Sequence, residues 1–124
     1  MNIYAYAIKA FSPLQRKVAF YVAVAVIFFF SVIPDTDFLP EVFSIWDKLN
    51  HLVAFFVLAF LIDVAYKNME GLYKILVLLG YGFFIECVQA LLPTRFFSFA
   101  DMFFNLIGLS LYFFFLMKYI IVKS

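Results

Sequence analysis

Four apolar runs follow one another along this chain, and they constrain it more than any other feature: Val18–Ile33 (VAFYVAVAVIFFFSVI), His51–Tyr66 (HLVAFFVLAFLIDVAY), Ile75–Leu92 and Met102–Val122. A segment inside a bilayer must satisfy its own backbone polar groups, which leaves helices or a closed barrel. The alternation of a membrane barrel is absent, so these runs are read as helices. Composition agrees. Only 14% of the residues are charged and 68% are hydrophobic, against about a quarter charged in a soluble domain. That is too little polar sequence to coat a water-soluble globule.

The expected fold is an all-α polytopic membrane protein, a four-transmembrane-helix bundle in one domain covering 1–124, with helices at about 18–33, 48–66, 74–92 and 99–122. A span takes about 20 residues, with roughly 17–25 tolerated. The first two runs, at 16 residues each, fall short, a deficit that snorkelling ends or local thinning would absorb. Ser31-Val32-Ile33-Pro34 is a poor small-residue cleavage site, so the first helix is expected to stay uncleaved. Residues 1–16 read as a short interfacial segment ended by Ser12-Pro13.

Lysine and arginine placement sets the expected orientation. Lys9, Arg16, Lys17, Lys67, Lys74, Lys118 and Lys123 fall on one side, Lys48 and Arg95 on the other. Seven against two puts both termini in the cytoplasm by the positive-inside rule. The loops holding Asp35, Asp37, Glu41, Asp47 and Arg95 then face outward. A net charge of +1 offers no footprint for nucleic acid. The single cysteine, Cys87, excludes an internal disulfide and fits no metal-finger spacing.

Polar residues inside such runs carry the functional signal. Asp47 and His51 lie at i and i+4, Glu86 and Gln89 at i and i+3, and Asp101 and Asn105 at i and i+4. Each pair shares one helix face. Three helices thus offer a polar pair near the same end, and intramembrane ionisable groups usually face the bundle interior and one another. Glu86 sits about 10 Å below Pro93 along the axis, too deep to snorkel. Blander roles compete. Ser98 and Asp101 form a capping-box pattern, Gln89 and Asn105 suit interhelical glue, and Arg95 suits a lipid phosphate. Asp63 and Lys67 read as an i,i+4 pair at the inner boundary. Cys87, about 100° round the helix from Glu86, is expected to point elsewhere.

The ordered series Asp47-Lys48-x-x-His51, Glu86-x-x-Gln89-x-x-x-Pro93-x-Arg95 and Ser98-x-x-Asp101-x-x-x-Asn105-x-x-Gly108 resembles the signature of the VanZ-like family of small bacterial membrane proteins, over roughly residues 34–112. The family takes its name from a protein that lowers susceptibility to the glycopeptide teicoplanin. The resemblance implies a multi-pass protein of the bacterial cytoplasmic membrane, with a link to the cell envelope and antibiotic resistance. Two positions depart from the pattern. Thr94 stands where the family often has Gly, and Tyr112 where it often has a second small residue four positions after Gly108. A close small-xxx-small crossing is therefore not predicted at Gly108.

Two function classes follow. In the first, an outward-facing polar site binds a lipid-linked envelope component or an amphiphilic glycopeptide. Asp47, Lys48, His51, Glu86, Gln89, Arg95, Ser98, Asp101 and Asn105 are its candidate ligand-binding residues, with Arg95 and Lys48 meeting an anionic head group. In the second, a membrane enzyme works on a lipid or lipid-linked substrate at the outer leaflet. There Asp47 orients His51, and Glu86 serves as general acid or base. His51, Glu86 and Asp101 also make a chemically reasonable set for a divalent metal, although no metal or other cofactor is assigned. Ser98 as nucleophile lacks a Gly-x-Ser-x-Gly setting. A proton-coupled transporter using Glu86 is disfavoured by the lack of an internal repeat. The binding reading is preferred. The expected partners are membrane lipids and such a ligand, with no nucleic acid.

Overall fold

The computed structural model describes residues 3–32, 42–92 and 99–114, with backbone alone for 42–47. Those residues form five helices: α1 Ile3–Ala10, α2 Pro13–Val32, α3 Val42–Ala65, α4 Gly71–Ala90 and α5 Phe99–Ser110. A π-helical turn over 111–114 extends α5. Three helices are long and apolar enough to cross a membrane: α2, the Lys48–Ala65 part of α3, and α4. The apolar stretch Phe99–Phe114 is shorter. The expected continuation of that last helix to 122 lies outside the described residues, as do Asp35, Asp37 and Glu41.

The shortfall expected for the first two runs is corrected by where the helices start. α2 begins at Pro13, and the reason is local. The Ser12 hydroxyl accepts from the Gln15 N–H at 3.1 Å, while Gln15 Oε1 accepts from the Ser12 N–H at 2.9 Å. This reciprocal capping box, with proline at the first helical position, starts a helix five residues before the apolar run does. The Arg16 guanidinium then donates to the carbonyls of Ile8 and Phe11 at 2.9 and 3.0 Å, folding α1 back against the start of α2. α2 therefore has 20 residues and α3 has 24, both enough to span. Counting apolar residues alone had excluded the charged ends, which are helical too.

Cross-helix contacts give the topology. Twelve residues separate His51 from Asp63 on α3, and twelve separate Lys74 from Glu86 on α4. Asp63 meets Lys74 at one end and His51 lies near Glu86 at the other, so α3 and α4 run antiparallel. Asn105 meets His51 and Tyr112 meets Asp63, so α5 runs parallel to α3. Tyr81 and Gln89 of α4 donate to the carbonyls of Val24 and Ser31 at 2.5 and 2.7 Å, setting α2 parallel to α4. From α2 to α5, each helix reverses the one before it. α3 is the hub, packing most extensively on α5 and then on α2.

Burial follows the 3.6-residue period. Phe55, Leu58, Ala59 and Ile62 of α3 meet Leu78 and Ile85 of α4 and Leu109 of α5 in the core. Val22, Val26, Phe29, Val53, Leu76, Phe84 and Phe103 face outward, an apolar exterior suited to lipid. α3 and α5 come closest at Gly108, where a Cβ would run into the carbonyl oxygen of Leu52 and lie 3.2 Å from the Phe56 nitrogen. The close crossing that Tyr112 argued against is present. It uses one glycine against a backbone carbonyl, so it needs no second small residue. Tyr112 has a job of its own. Its hydroxyl donates to Asp63 Oδ2 at 2.7 Å.

That contact belongs to a second polar cluster. Asp63 pairs with Lys74 at 2.5 Å, both residues being buried, rather than with Lys67. α3 ends at Ala65, so helical i,i+4 spacing does not carry on to Lys67, which is exposed. Tyr4 of α1 lies close enough to feel this charge. Burial first, and then Asp63, push its hydroxyl above the ordinary tyrosine range, while Arg16 opposes them.

Candidate functional site

At the opposite end of the core, the same buried stripes turn polar. On α3 the stripe through Ile62, Leu58 and Phe55 reaches His51. On α4 it passes Leu78 and Gly82 to Glu86 and Gln89. On α5 it runs from Leu109 and Gly108 back to Asn105 and Asp101. Helical spacing of three and four residues is what stacks these groups on the faces that meet. Glu86 is 0% exposed, Asn105 1%, Asp101 6% and His51 9%.

Both ring nitrogens of His51 face α5. Nδ1 lies 3.1 Å from Asn105 Oδ1, and Nε2 lies 3.5 Å from Asp101 Oδ2. A carbonyl oxygen opposite Nδ1 places a proton on that nitrogen, leaving Nε2 to face the Asp101 carboxylate. Ligating atoms of His51, Glu86 and Asp101 all lie within 4.8 Å of one another. The Asn105 amide nitrogen is buried and has no hydrogen-bond partner among the described residues. It lies over Gly82, where a Cβ would approach it to 2.8 Å. Gly82 thus makes room for the amide one turn below Glu86.

A cavity of about 180 Å³ opens beside His51, between α2, α3 and α4, with Phe30, Ser31, Asn50, Ala54 and Gln89 in its wall. A larger groove of about 490 Å³, between α1, α2 and α3, includes Arg16 in its wall and lies away from this cluster.

The sequence-predicted residues divide as follows. His51, Glu86, Asp101 and Asn105 come together, and Gln89 borders the adjoining cavity. Gln89 is also interhelical glue, since its amide is held by the Ser31 carbonyl. Lys48 is half-buried on α3 and joins none of these contacts. Asp47 lies on α3 but its side chain is outside the described residues, as are Arg95, Ser98 and the Ser98–Asp101 capping box. At Nδ1 the contact among the described residues is with Asn105 Oδ1. α4 stops at Ala90, so Glu86 lies about 6 Å from the end of that helix; Pro93 lies outside the described residues. Cys87 faces outward, as expected. Ser31, Gly82 and the Asp63–Lys74–Tyr112 cluster were not singled out. The matched twelve-residue spacings on α3 and α4 were the available signal for Lys74.

Apolar helices that bury a histidine, two carboxylates and an amide at one end define a small helical membrane protein with a buried polar cluster. The VanZ/LLP1 family model matches residues 8–122, nearly the whole chain, and the protein belongs to this VanZ-like family. Curated proteins and solved structures give no significant match.

Proposed function

We propose that this is a four-span protein of the bacterial cytoplasmic membrane, with both termini in the cytoplasm. Its polar cluster faces outward and binds a lipid-linked envelope component or an amphiphilic glycopeptide, the latter in line with the teicoplanin link of the family name. The observation that carries this reading is the convergence of His51, Glu86, Asp101 and Asn105 from three helices beside a cavity. A membrane keeps buried ionisable groups for function more often than for anchoring. Glu86 and Asp101 would accept hydrogen bonds from hydroxyl or amine groups of the ligand, and Arg95 with Lys48 would meet its anionic part.

The enzyme reading draws on a different feature, an imidazole held between an amide and a carboxylate as a general base would be. One assay separates the two. Detergent-purified protein is incubated with envelope lipids and followed by native mass spectrometry. Retention of one amphiphile per chain without mass change supports binding. Conversion of the lipid supports catalysis, and the absence of both retention and conversion overturns both readings.

Orientation has its own test. In a Cys87→Ser background, Phe99→Cys places a thiol at a position that is 80% exposed. A membrane-impermeant thiol reagent should label it on intact cells or spheroplasts. Labelling that needs permeabilised membranes would invert the topology.

A further inference from the structure

We propose that His51 Nε2, with one carboxylate oxygen each from Glu86 and Asp101, forms a site for one divalent transition cation, zinc or manganese. The spacing supports a shared ion. Ligand atoms at about 2.0–2.2 Å from a tetrahedral zinc lie roughly 3.4 Å apart. His51 Nε2 and Asp101 Oδ2 are 3.5 Å apart, long for a direct hydrogen bond and suited to two ligands of one ion. Glu86 lies within the 4.8 Å span of the set, a gap that rotation of a carboxylate can narrow.

The surroundings of the ligands point the same way. A metal-bound histidine almost always donates its other ring N–H to an oxygen, which fixes the tautomer and aims the ligating nitrogen. Asn105 Oδ1, 3.1 Å from Nδ1, is that oxygen. The Asn105 amide nitrogen, buried and without a partner among the described residues, supplies a donor beside the site. A zinc ion with three protein ligands keeps a position open. The phosphate oxygen of an anionic head group suits that position. The cation site stands on the cluster's geometry, and this last consequence rests on the binding reading above.

The test uses the full-length protein in detergent. Wild type, stripped with EDTA and shown to be monodisperse, is titrated with zinc, manganese and the spectroscopic probe cobalt(II), with elemental analysis of bound metal. Expected are about one equivalent bound per chain and cobalt d–d bands of nitrogen–oxygen ligation. His51→Gln and Asp101→Asn should abolish both. Asn105→Ala keeps every ligand and should weaken affinity about 10–100-fold, which a merely structural role would not do. Cys87→Ser, exposed beside Glu86, should bind as wild type. The cation site is overturned if stripped wild type binds none of the three metals, or if it and the two ligand variants bind them equally. Lipid retention measured on the same stripped protein keeps the proposals apart. Retention without any metal binding sinks the cation site and leaves the binding reading standing. Metal bound with no lipid retained does the reverse.

Discussion

Lys74→Met should destabilise the bundle by about 3–5 kcal/mol, the usual result of removing one partner from a buried ion pair. Lys74 and Asp63 are each 2% exposed, and their contact is 2.5 Å. Methionine fills much the same volume, so the loss is mainly electrostatic. It strands a carboxylate whose remaining hydrogen bond among the described residues comes from the Tyr112 hydroxyl at 2.7 Å. The double variant Asp63→Asn/Lys74→Met removes the stranded charge and should recover most of the loss. Unfolding in a denaturing-detergent titration, followed by helical circular dichroism, gives both values. Simple additivity would mean that the pair is not coupled as its geometry requires. This cluster lies about 18 Å from Glu86 along α4. Variants that still fold should therefore keep their ligand and metal binding.

Gly108→Ala should cost about 3 kcal/mol, at the upper end of the range for overpacking. The added methyl meets the backbone of Leu52, and a carbonyl within a helix cannot rotate away as a side chain can. α3 and α5 must part instead. Asp101 and Asn105 sit on α5 and His51 on α3, so the 3.1 and 3.5 Å contacts lengthen as well. Stability and ligand binding should therefore fall together. Gly82→Ala is the useful comparison, since its methyl meets the Asn105 amide nitrogen and the edge of the Phe55 ring. Those groups can shift, so a smaller loss of about 1 kcal/mol is expected. Gly80→Ala, with open space around the added carbon, should be close to neutral. Equal effects at Gly108 and Gly80 would refute the close crossing.

The contrast between these positions explains what could be read in the chain. Spacing along one helix is a local property, so the faces shared by Glu86 with Gln89 and by Asp101 with Asn105 were legible before any coordinates. So was the outward placement of Cys87. Which group stands opposite another is not local. Asn105 and Asp101, 54 and 50 residues from His51 along the chain, face its two ring nitrogens. Asp63 was assigned to Lys67 on i,i+4 spacing, but α3 ends at Ala65, two residues short of Lys67. The crossing at Gly108 escaped a side-chain pattern because its partner is a backbone carbonyl. The start of α2 was legible in principle, since Ser12, Pro13 and Gln15 spell out its cap. It was hidden by judging helix length from hydrophobicity alone.

The most direct measurement compares lipid retention by native mass spectrometry across wild type, Glu86→Gln, Asp101→Asn, the double variant and Cys87→Ser. Groups that act as one unit lose their effect together, so each single variant should remove most of the bound amphiphile, and the double should be no worse than either. Cys87→Ser should retain as much as wild type. Full retention by Glu86→Gln and Asp101→Asn, or losses that multiply as they would for separate sites, would contradict a shared intramembrane binding site.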